Sequence, residues 1–382
     1  MQLSHRWAAA RPLFDDENLV SCAGLVPVME LAEQAGLSQL LAAKVSIATT
    51  NVASAGVNPA GKITSIVAGM AAGADCIDDL DVIRTGGMPR LFGGVYAPAT
   101  MGQLLREFTH GHTRQLASVA REHLVGLAEL TECLAGIEER CFLDIDSLLR
   151  PTYGHAKQGA SFGHTKIASR QVLRKGLSPL ATTISTEQVA PMIAGIRLRA
   201  GKAGSGRGAA SMVTEAINTA RAAGAGNEIL VRGDSAYGTR AVIGAAMKAG
   251  VRFSLVLTQN PAVRRAMGSI AEDAWTPVRY PGAVLDPDTG ELISEAEVAE
   301  VPYTAFAGSK HPVTARLIVR RVPDMNPDHQ SELFTVYRYH AVFTSSPLPM
   351  LEAEKAHRGH AIVEQVGHCV QAVDAFGDDD AA

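Results

Sequence analysis

Two apolar runs of strand length, each delivering a carboxylate to its end, constrain this chain more than any other feature. Residues 142–146 read FLDID and residues 229–234 read ILVRGD, so the acids are Asp144, Asp146 and Asp234. The second run is followed by a predicted helix and another predicted strand. Strand–helix–strand order predicts an α/β sheet, and open sheets of this class place their sites at strand ends.

The spacing of apolar residues changes along the chain and predicts several parts. Residues 1–137 show three- and four-residue spacing, which predicts a helical N-terminal domain. The remainder is predicted as the first part of the α/β core (138–274), a β-rich insertion (275–345), a core helix (346–366) and an acidic tail (367–382). The sequence has neither a run of roughly 18 apolar residues, as a membrane span needs, nor an apolar signal core, so we expect a cytoplasmic protein.

Three acids on separate predicted elements are candidate metal ligands. Asp146 and Asp234 end the two strands, and Glu364 lies on the late helix. Asp144 shares a strand face with Asp146, because side chains alternate with period two, and remains an alternative first ligand. Carboxylates suit Mg²⁺, and two such ions can activate a water or hydroxyl and neutralise a leaving oxygen. The pattern predicts cutting and joining of nucleic-acid phosphodiesters with Mg²⁺, for which Mn²⁺ can substitute.

A basic segment with few acids follows the first strand. Residues 150–210 contain ten Lys and Arg and a single acid, Glu187. This composition is typical of a surface that binds a phosphate backbone, although a solvated face balanced by acids elsewhere has it too. His357 and His360 share a helix face with Glu364 and are interpreted as phosphate-contacting or base-stacking groups. The candidate DNA contacts in the basic segment are Lys157, Lys166, Arg170, Arg174 and Lys175.

Two motifs also admit other roles. Residues 233–235 read GDS and resemble the start of a serine-hydrolase block, with Ser235 as nucleophile. Such an enzyme needs a histidine and an orienting acid, and no local signature marks that histidine. The glycine-rich residues 201–208 could cradle a phosphate at a helix N-terminus or form a mobile linker.

Considered together, four segments resemble the DDE transposases of bacterial insertion sequences, most closely the thirteen-eighty group as found in actinobacteria. The resemblance runs from residue 1 to about 366 and is strongest over 143–147, 153–159, 232–238 and 357–365. It implies an RNase-H-like fold with a β insertion between the second Asp and the Glu. It also implies metal-dependent DDE catalysis by Asp146, Asp234 and Glu364. The expected partners are the element's inverted-repeat ends and target DNA, with a homodimer on the DNA.

The chain departs from this family near its end. Related groups have Tyr and Arg seven and four residues before the Glu, where this chain has His357 and His360. They also have a basic residue about seven positions after it, where Gln371 stands, and Val366 is followed by an acidic tail. We hypothesise a frameshift that replaced the C-terminus. A truncated, catalytically defective copy that only binds DNA is therefore the alternative to an active transposase.

Overall fold

The chain divides into two compact units. The computed structural model describes residues 16–48, 56–147, 149–153, 157–167, 170–285, 292–323 and 336–361. The division falls between Met1–Thr131 and Glu132–Ala382, close to the boundary predicted at residue 137. Among the described helices, none combines the length and apolar character needed to cross a bilayer.

The N-terminal unit consists of helices around an apolar core. Leu41, Met101 and Leu104 are at most 1% exposed, because apolar residues at helical spacing face one another. The third helix begins where the Asn58 side chain accepts the Gly61 N–H, with proline at the first helical position. The α-helices are α1 (Leu25–Gln34), α2 (Leu37–Lys44), α3 (Pro59–Ala71), α4 (Pro98–Glu107) and α5 (His110–Leu130), with 3₁₀ helices at Asp78–Ile83 and Met88–Arg90.

The C-terminal unit contains two sheets and four α-helices within the described ranges. The strands are β1 (Cys141–Ser147), β2 (Arg150–Pro151), β3 (Ser161–Ile167), β4 (Arg170–Leu177), β5 (Leu180–Ser185), β6 (Met192–Arg197), β7 (Ile229–Gly233), β8 (Arg252–Val256), β9 (Thr276–Leu285), β10 (Leu292–Ala305), β11 (Val313–Pro323) and β12 (Tyr337–Thr344). The helices are α6 (Ala209–Ala222), α7 (Arg240–Lys248), α8 (Pro261–Gly268) and α9 (Met350–Arg358), with 3₁₀ helices at Glu272–Ala274 and Gly359–Ala361. This arrangement confirms the predicted α/β class.

The larger sheet has the order β6-β5-β1-β7-β8-β12-β11-β10-β9. β1 pairs with β7 in parallel and with β5 antiparallel, and β7 pairs with β8 in parallel. Helix α6 packs against β1, β5 and β6, and α7 packs against β8. Five consecutive residues of β1 are buried, as expected for a strand covered on both faces. The two acid-bearing strands are therefore neighbours in the sheet.

The segment predicted as a β-rich insertion is continuous with this sheet. Its strands β9 to β12 form one antiparallel series, and β12 pairs with β8 through three residues, Val342 to Thr344. The sequence predicted a β-rich insertion without its pairing partners, because an alternating apolar pattern shows that a strand forms but not which strand it pairs with.

The smaller sheet has the order β2-β4-β3 and lies within the basic segment. Glycines allow its close packing: a Cβ on Gly163 would overlap the Gly201 carbonyl, and a Cβ on Gly201 would overlap the Ser161 and Gly176 carbonyls. An isolated bridge between Leu177 and Ala200 also joins the sheet to the loop after β6.

Candidate active site

Asp146 and Asp234 lie at the carboxyl ends of two adjacent parallel strands. In the register of β1 and β7, Ile145 is opposite Gly233, and each acid is the next residue along its strand. The Asp146 Oδ1 accepts the Ser147 N–H at 2.6 Å, and the Asp234 Oδ1 accepts the Ala236 N–H at 2.9 Å. Asp234 is exposed and Asp146 is half-buried. The sheet thus brings two carboxylates, separated by 88 residues in sequence, to one accessible edge.

Asp144, the alternative first acid, is engaged in a buried ion pair. Its two carboxylate oxygens accept hydrogen bonds from the Nε and Nη2 of Arg232, each at 2.7 Å. The side chains of Asp144 and Arg232 are only 3% and 5% exposed, and the guanidinium also stacks on the Phe142 ring at 4.2 Å. With both oxygens occupied by a bidentate partner, Asp144 is poorly placed to hold a metal ion. This geometry favours Asp146.

Tyr237 is a buried residue close to the candidate acids that the sequence-based prediction did not include. Its side chain is 1% exposed, and its hydroxyl lies in the environment of Ser147, Asp146 and Asp234. Burial raises the pKa of Tyr237 above its ordinary value, and the two aspartates raise it further. The residue therefore stays a neutral phenol beside the carboxylates. Its position three residues after Asp234, in a turn that follows a strand, was the available signal.

Glu364 lies outside the described residues, and helix α9 (Met350–Arg358) precedes it in the chain. In α9, the His357 Nδ1 lies 3.0 Å from the Ser254 carbonyl oxygen and 3.1 Å from its Oγ. His357 is 3% exposed, and the His360 ring contacts it in a tilted arrangement, with centroids 4.5 Å apart and an interplanar angle of 41°. This burial favours a packing role for His357 over the predicted contact with DNA. His360 is half-buried.

The burial of His357 predicts that acid destabilises the fold. Desolvation lowers the pKa of His357 well below its ordinary value, and His360, Arg232 and Arg320 lower it further, whereas the Ser254 carbonyl raises it. The unfolded chain takes up a proton near pH 6.5, but the folded chain does not. The stability contributed by neutral His357 is thus fully present above about pH 6.5. It falls by up to about 1.4 kcal/mol per pH unit below that value.

Urea unfolding between pH 7.5 and 5.5 measures this effect. We expect the stability difference between wild type and His357→Gln to shrink as the pH falls, because the variant lacks the titrating ring. The same difference for His311→Gln, which alters an exposed histidine, should stay constant. A pH-independent difference for His357→Gln would contradict the prediction.

A cavity of about 240 Å³ adjoins Asp234. Its lining is rich in charged and polar groups, including Ser235, Arg320, His340, Glu354 and His360. Glu354 is itself paired with Arg320 at 3.3 Å and with Arg358 at 2.9 Å. Among the described residues, no hydrogen bond joins Ser235 to a histidine, so the geometry gives no support to serine-hydrolase chemistry.

The predicted basic segment separates into internal and exposed cations. Arg199 is buried, and its guanidinium donates to the carbonyls of Ser178, Ser205 and Arg207 at 2.8 Å each. Arg199 therefore holds the glycine-rich loop of residues 201–208 in place. This contact supports neither the phosphate cradle nor the mobile linker considered for the loop. Lys157 and Arg174 are exposed and Lys175 is half-buried, while the side chains of Lys166 and Arg170 lie outside those described.

The acids fit a divalent metal by their chemistry. Asp146 and Asp234 offer hard carboxylate oxygens at neighbouring strand ends, which is the donor type that Mg²⁺ and Mn²⁺ take. Another group of possible ligands, Asp75, Cys76 and Asp79, lies exposed in the N-terminal unit. There the Asp79 Oδ2 accepts the N–H groups of Asp75 and Cys76 at 3.2 and 3.1 Å. These hydrogen bonds close a turn, which explains without a metal why the three residues lie together.

A family model described as transposase DDE domain group 1 matches residues 9–361. The matched range includes both strand-end aspartates and ends before Glu364. No curated protein matches the sequence significantly.

Proposed function

The chain belongs to the DDE transposase family (transposase DDE domain group 1), and from this premise we propose that it cuts the ends of an insertion sequence and joins them to target DNA. The observation that carries the proposal is the placement of Asp146 and Asp234 at adjacent parallel strand ends. The order β6-β5-β1-β7-β8, with two antiparallel and two parallel pairings, supports an RNase-H-like core. The finer assignment, to the thirteen-eighty group, rests on the sequence motifs described above.

Asp146, Asp234 and Glu364 are the proposed ligands of the catalytic metal. Bound Mg²⁺ or Mn²⁺ supplies activation of the attacking water or 3′-hydroxyl and charge neutralisation at the scissile phosphate. Asp234 is exposed at the strand end, where a phosphate can approach it. The neutral hydroxyl of Tyr237 adds no negative charge beside the acids. Ser147 and Ala236 hold Asp146 and Asp234 through backbone N–H groups and limit the rotation of both carboxylates.

The small sheet and its basic side chains are the proposed DNA-contacting surface. Lys157 and Arg174 are exposed, and the apolar residues Phe162 on β3 and Leu173 on β4 are 61% and 55% exposed. Cations placed this way neutralise phosphates and release counterions, which makes binding dependent on salt. Lys166, Arg170, Lys175 and His360 remain proposed contacts. A homodimer on DNA, with each copy holding one end, remains part of the proposal.

Removing two of these cations should weaken the salt dependence of DNA binding. For Lys157→Ala/Arg174→Ala we expect the slope of log Kobs against log salt to fall in magnitude by about 2, since each phosphate contact contributes about 0.9. Fluorescence anisotropy with labelled end DNA at several salt concentrations measures the slope. The control Lys248→Ala/Arg265→Ala removes exposed cations on α7 and α8 and should leave it unchanged. Equal slopes for all three proteins would reject the assigned surface.

The experiment that tests the function is incubation of purified protein with labelled element-end DNA and Mg²⁺ or Mn²⁺. Metal-dependent nicking at the end supports the transposase. The alternative is the defective copy that occupies DNA ends without cutting them, for which binding without nicking is the expected result. Absence of both binding and nicking would contradict the two proposals together.

A further inference from the structure

One buried ion pair contacts three chain segments that lead to the proposed catalytic acids. Asp144 is on β1, two residues before Asp146, and Arg232 is on β7, two residues before Asp234. The third Arg232 nitrogen, Nη1, donates to the Ala356 carbonyl in the last turn of α9 at 2.6 Å. The chain then continues from α9 toward Glu364. A single guanidinium therefore ties both strands to the helix that precedes the third acid.

The contact with α9 is closely fitted. Carbonyls in the last turn of a helix lack an intrahelical N–H partner and carry the negative end of the helix dipole, so a cation is favourable there. A Cβ on Gly359 would lie 2.7 Å from the Arg232 Nη1, and glycine is what permits the approach. The neighbouring His357 adds a second anchor through the Ser254 carbonyl on β8. The end of α9 is thus held against the face of the sheet that carries the acids.

Stability alone does not account for this ion pair. Burying two charges costs solvation, and apolar side chains of similar volume are often equally or more stabilising. What an apolar pair cannot provide is the planar, bidentate geometry and the third hydrogen bond to the helix. Arg232 therefore fixes the relative orientation of β1, β7 and the end of α9, which it joins by hydrogen bonds.

From this geometry we infer that Asp144 and Arg232 are positioning residues, which set Asp146 and Asp234 relative to each other and to the end of α9. Both oxygens of Asp144 are taken up by Arg232, so the pair acts through its neighbours. The inference rests on the proposed function, because it takes Asp146 and Asp234 as ligands of one metal centre. Its consequence is that disturbing the pair weakens metal binding while leaving the DNA-contacting surface intact.

The test compares full-length wild type with two variants of the pair. Arg232→Met/Asp144→Leu replaces both charges by apolar side chains, and Arg232→Lys keeps the charge but loses the planar fork. The control Arg321→Met/Glu297→Leu removes another ion pair with a buried arginine, between β11 and β10. Mn²⁺ binding is measured by electron paramagnetic resonance without DNA. Cleavage of end DNA is measured across a Mg²⁺ titration, and affinity for end DNA is measured separately.

We expect both Arg232 variants to bind Mn²⁺ about 10–100-fold more weakly, as losses of groups that orient metal ligands do. Half-maximal cleavage should need correspondingly more Mg²⁺, and the Kd for DNA should not change. The control should match wild type throughout. If the apolar double variant fails to fold, Arg232→Lys decides the question alone.

Wild-type Mn²⁺ affinity in a folded Arg232 variant would overturn the inference, as would a wild-type protein that binds no Mn²⁺. A wild type that binds Mn²⁺ without cutting DNA would instead refute the proposed function. In that case the Mn²⁺ affinities of the variants still decide whether the pair positions the metal ligands.

Discussion

Asp234→Asn and Asp146→Asn are each expected to lower the rate of end cleavage by about 10³-fold or more and to leave DNA affinity nearly unchanged. Each replacement keeps the shape of the side chain but removes the negative charge that a divalent ion needs. Loss of a metal contribution of several kcal/mol corresponds to a rate loss of this size. DNA affinity should persist, because the proposed phosphate contacts are cations elsewhere on the surface.

Single-turnover cleavage of labelled end DNA, beside anisotropy for binding, measures both quantities. Asp273→Asn is the matched control, since this exposed aspartate lies in the 3₁₀ helix Glu272–Ala274, outside the proposed site. Ser235→Ala should also cut at close to the wild-type rate, whereas a serine nucleophile would make it inactive. Full cleavage by Asp146→Asn would remove that residue from the metal centre.

Arg232→Met alone is expected to lower the free energy of unfolding by about 3–5 kcal/mol, because it leaves the Asp144 carboxylate buried without its partner. The pair is at most 5% exposed, so solvent cannot replace the lost hydrogen bonds. The double variant Arg232→Met/Asp144→Leu should regain most of this loss, since it buries no unpaired charge. Urea unfolding followed by circular dichroism measures all three proteins.

The exposed pair between Arg279 and Glu295 provides the comparison. Its side chains are 67% and 64% exposed, so Arg279→Met should cost no more than about 1 kcal/mol. If Arg232→Met also cost no more than about 1 kcal/mol, the Asp144 carboxylate would have found another partner or water in the variant. Failure of the double variant to recover would show that the contact with Ala356 itself supports the fold.

Local sequence patterns predict much of the core. The runs 142–146 and 229–234 predicted strands, and both form strands: β1 ends one residue after Asp146, and β7 ends one residue before Asp234. The helix predicted after the second run corresponds to α7, which begins at an N-cap where the Thr239 side chain accepts the Val242 N–H. These features depend on neighbours in sequence, and local propensity and capping are visible there.

Pairing and burial were not predictable in the same way. The β-rich segment extends the main sheet through β12 and β8, which lie some 80 residues apart in the chain. Arg199 is one of the ten cations that make the segment 150–210 basic, yet it is buried and holds a loop. His357 was interpreted as a DNA contact from its helix face, and that face packs on β8. The sequence shows which side chains are charged or polar, but not which of them are buried or what they contact.

The sequence by itself determined the α/β class and the delivery of acids to strand ends, because these follow from local periodicity. The family was indicated by a resemblance in four short segments. Only the tertiary structure distinguishes the proposed role of Asp144 from that of Asp146. The two residues are equivalent by the period of a strand, and only the neighbouring strand supplies the arginine that binds one of them. Long-range contacts, which no short segment encodes, thus distinguish a proposed metal ligand from a proposed positioning residue.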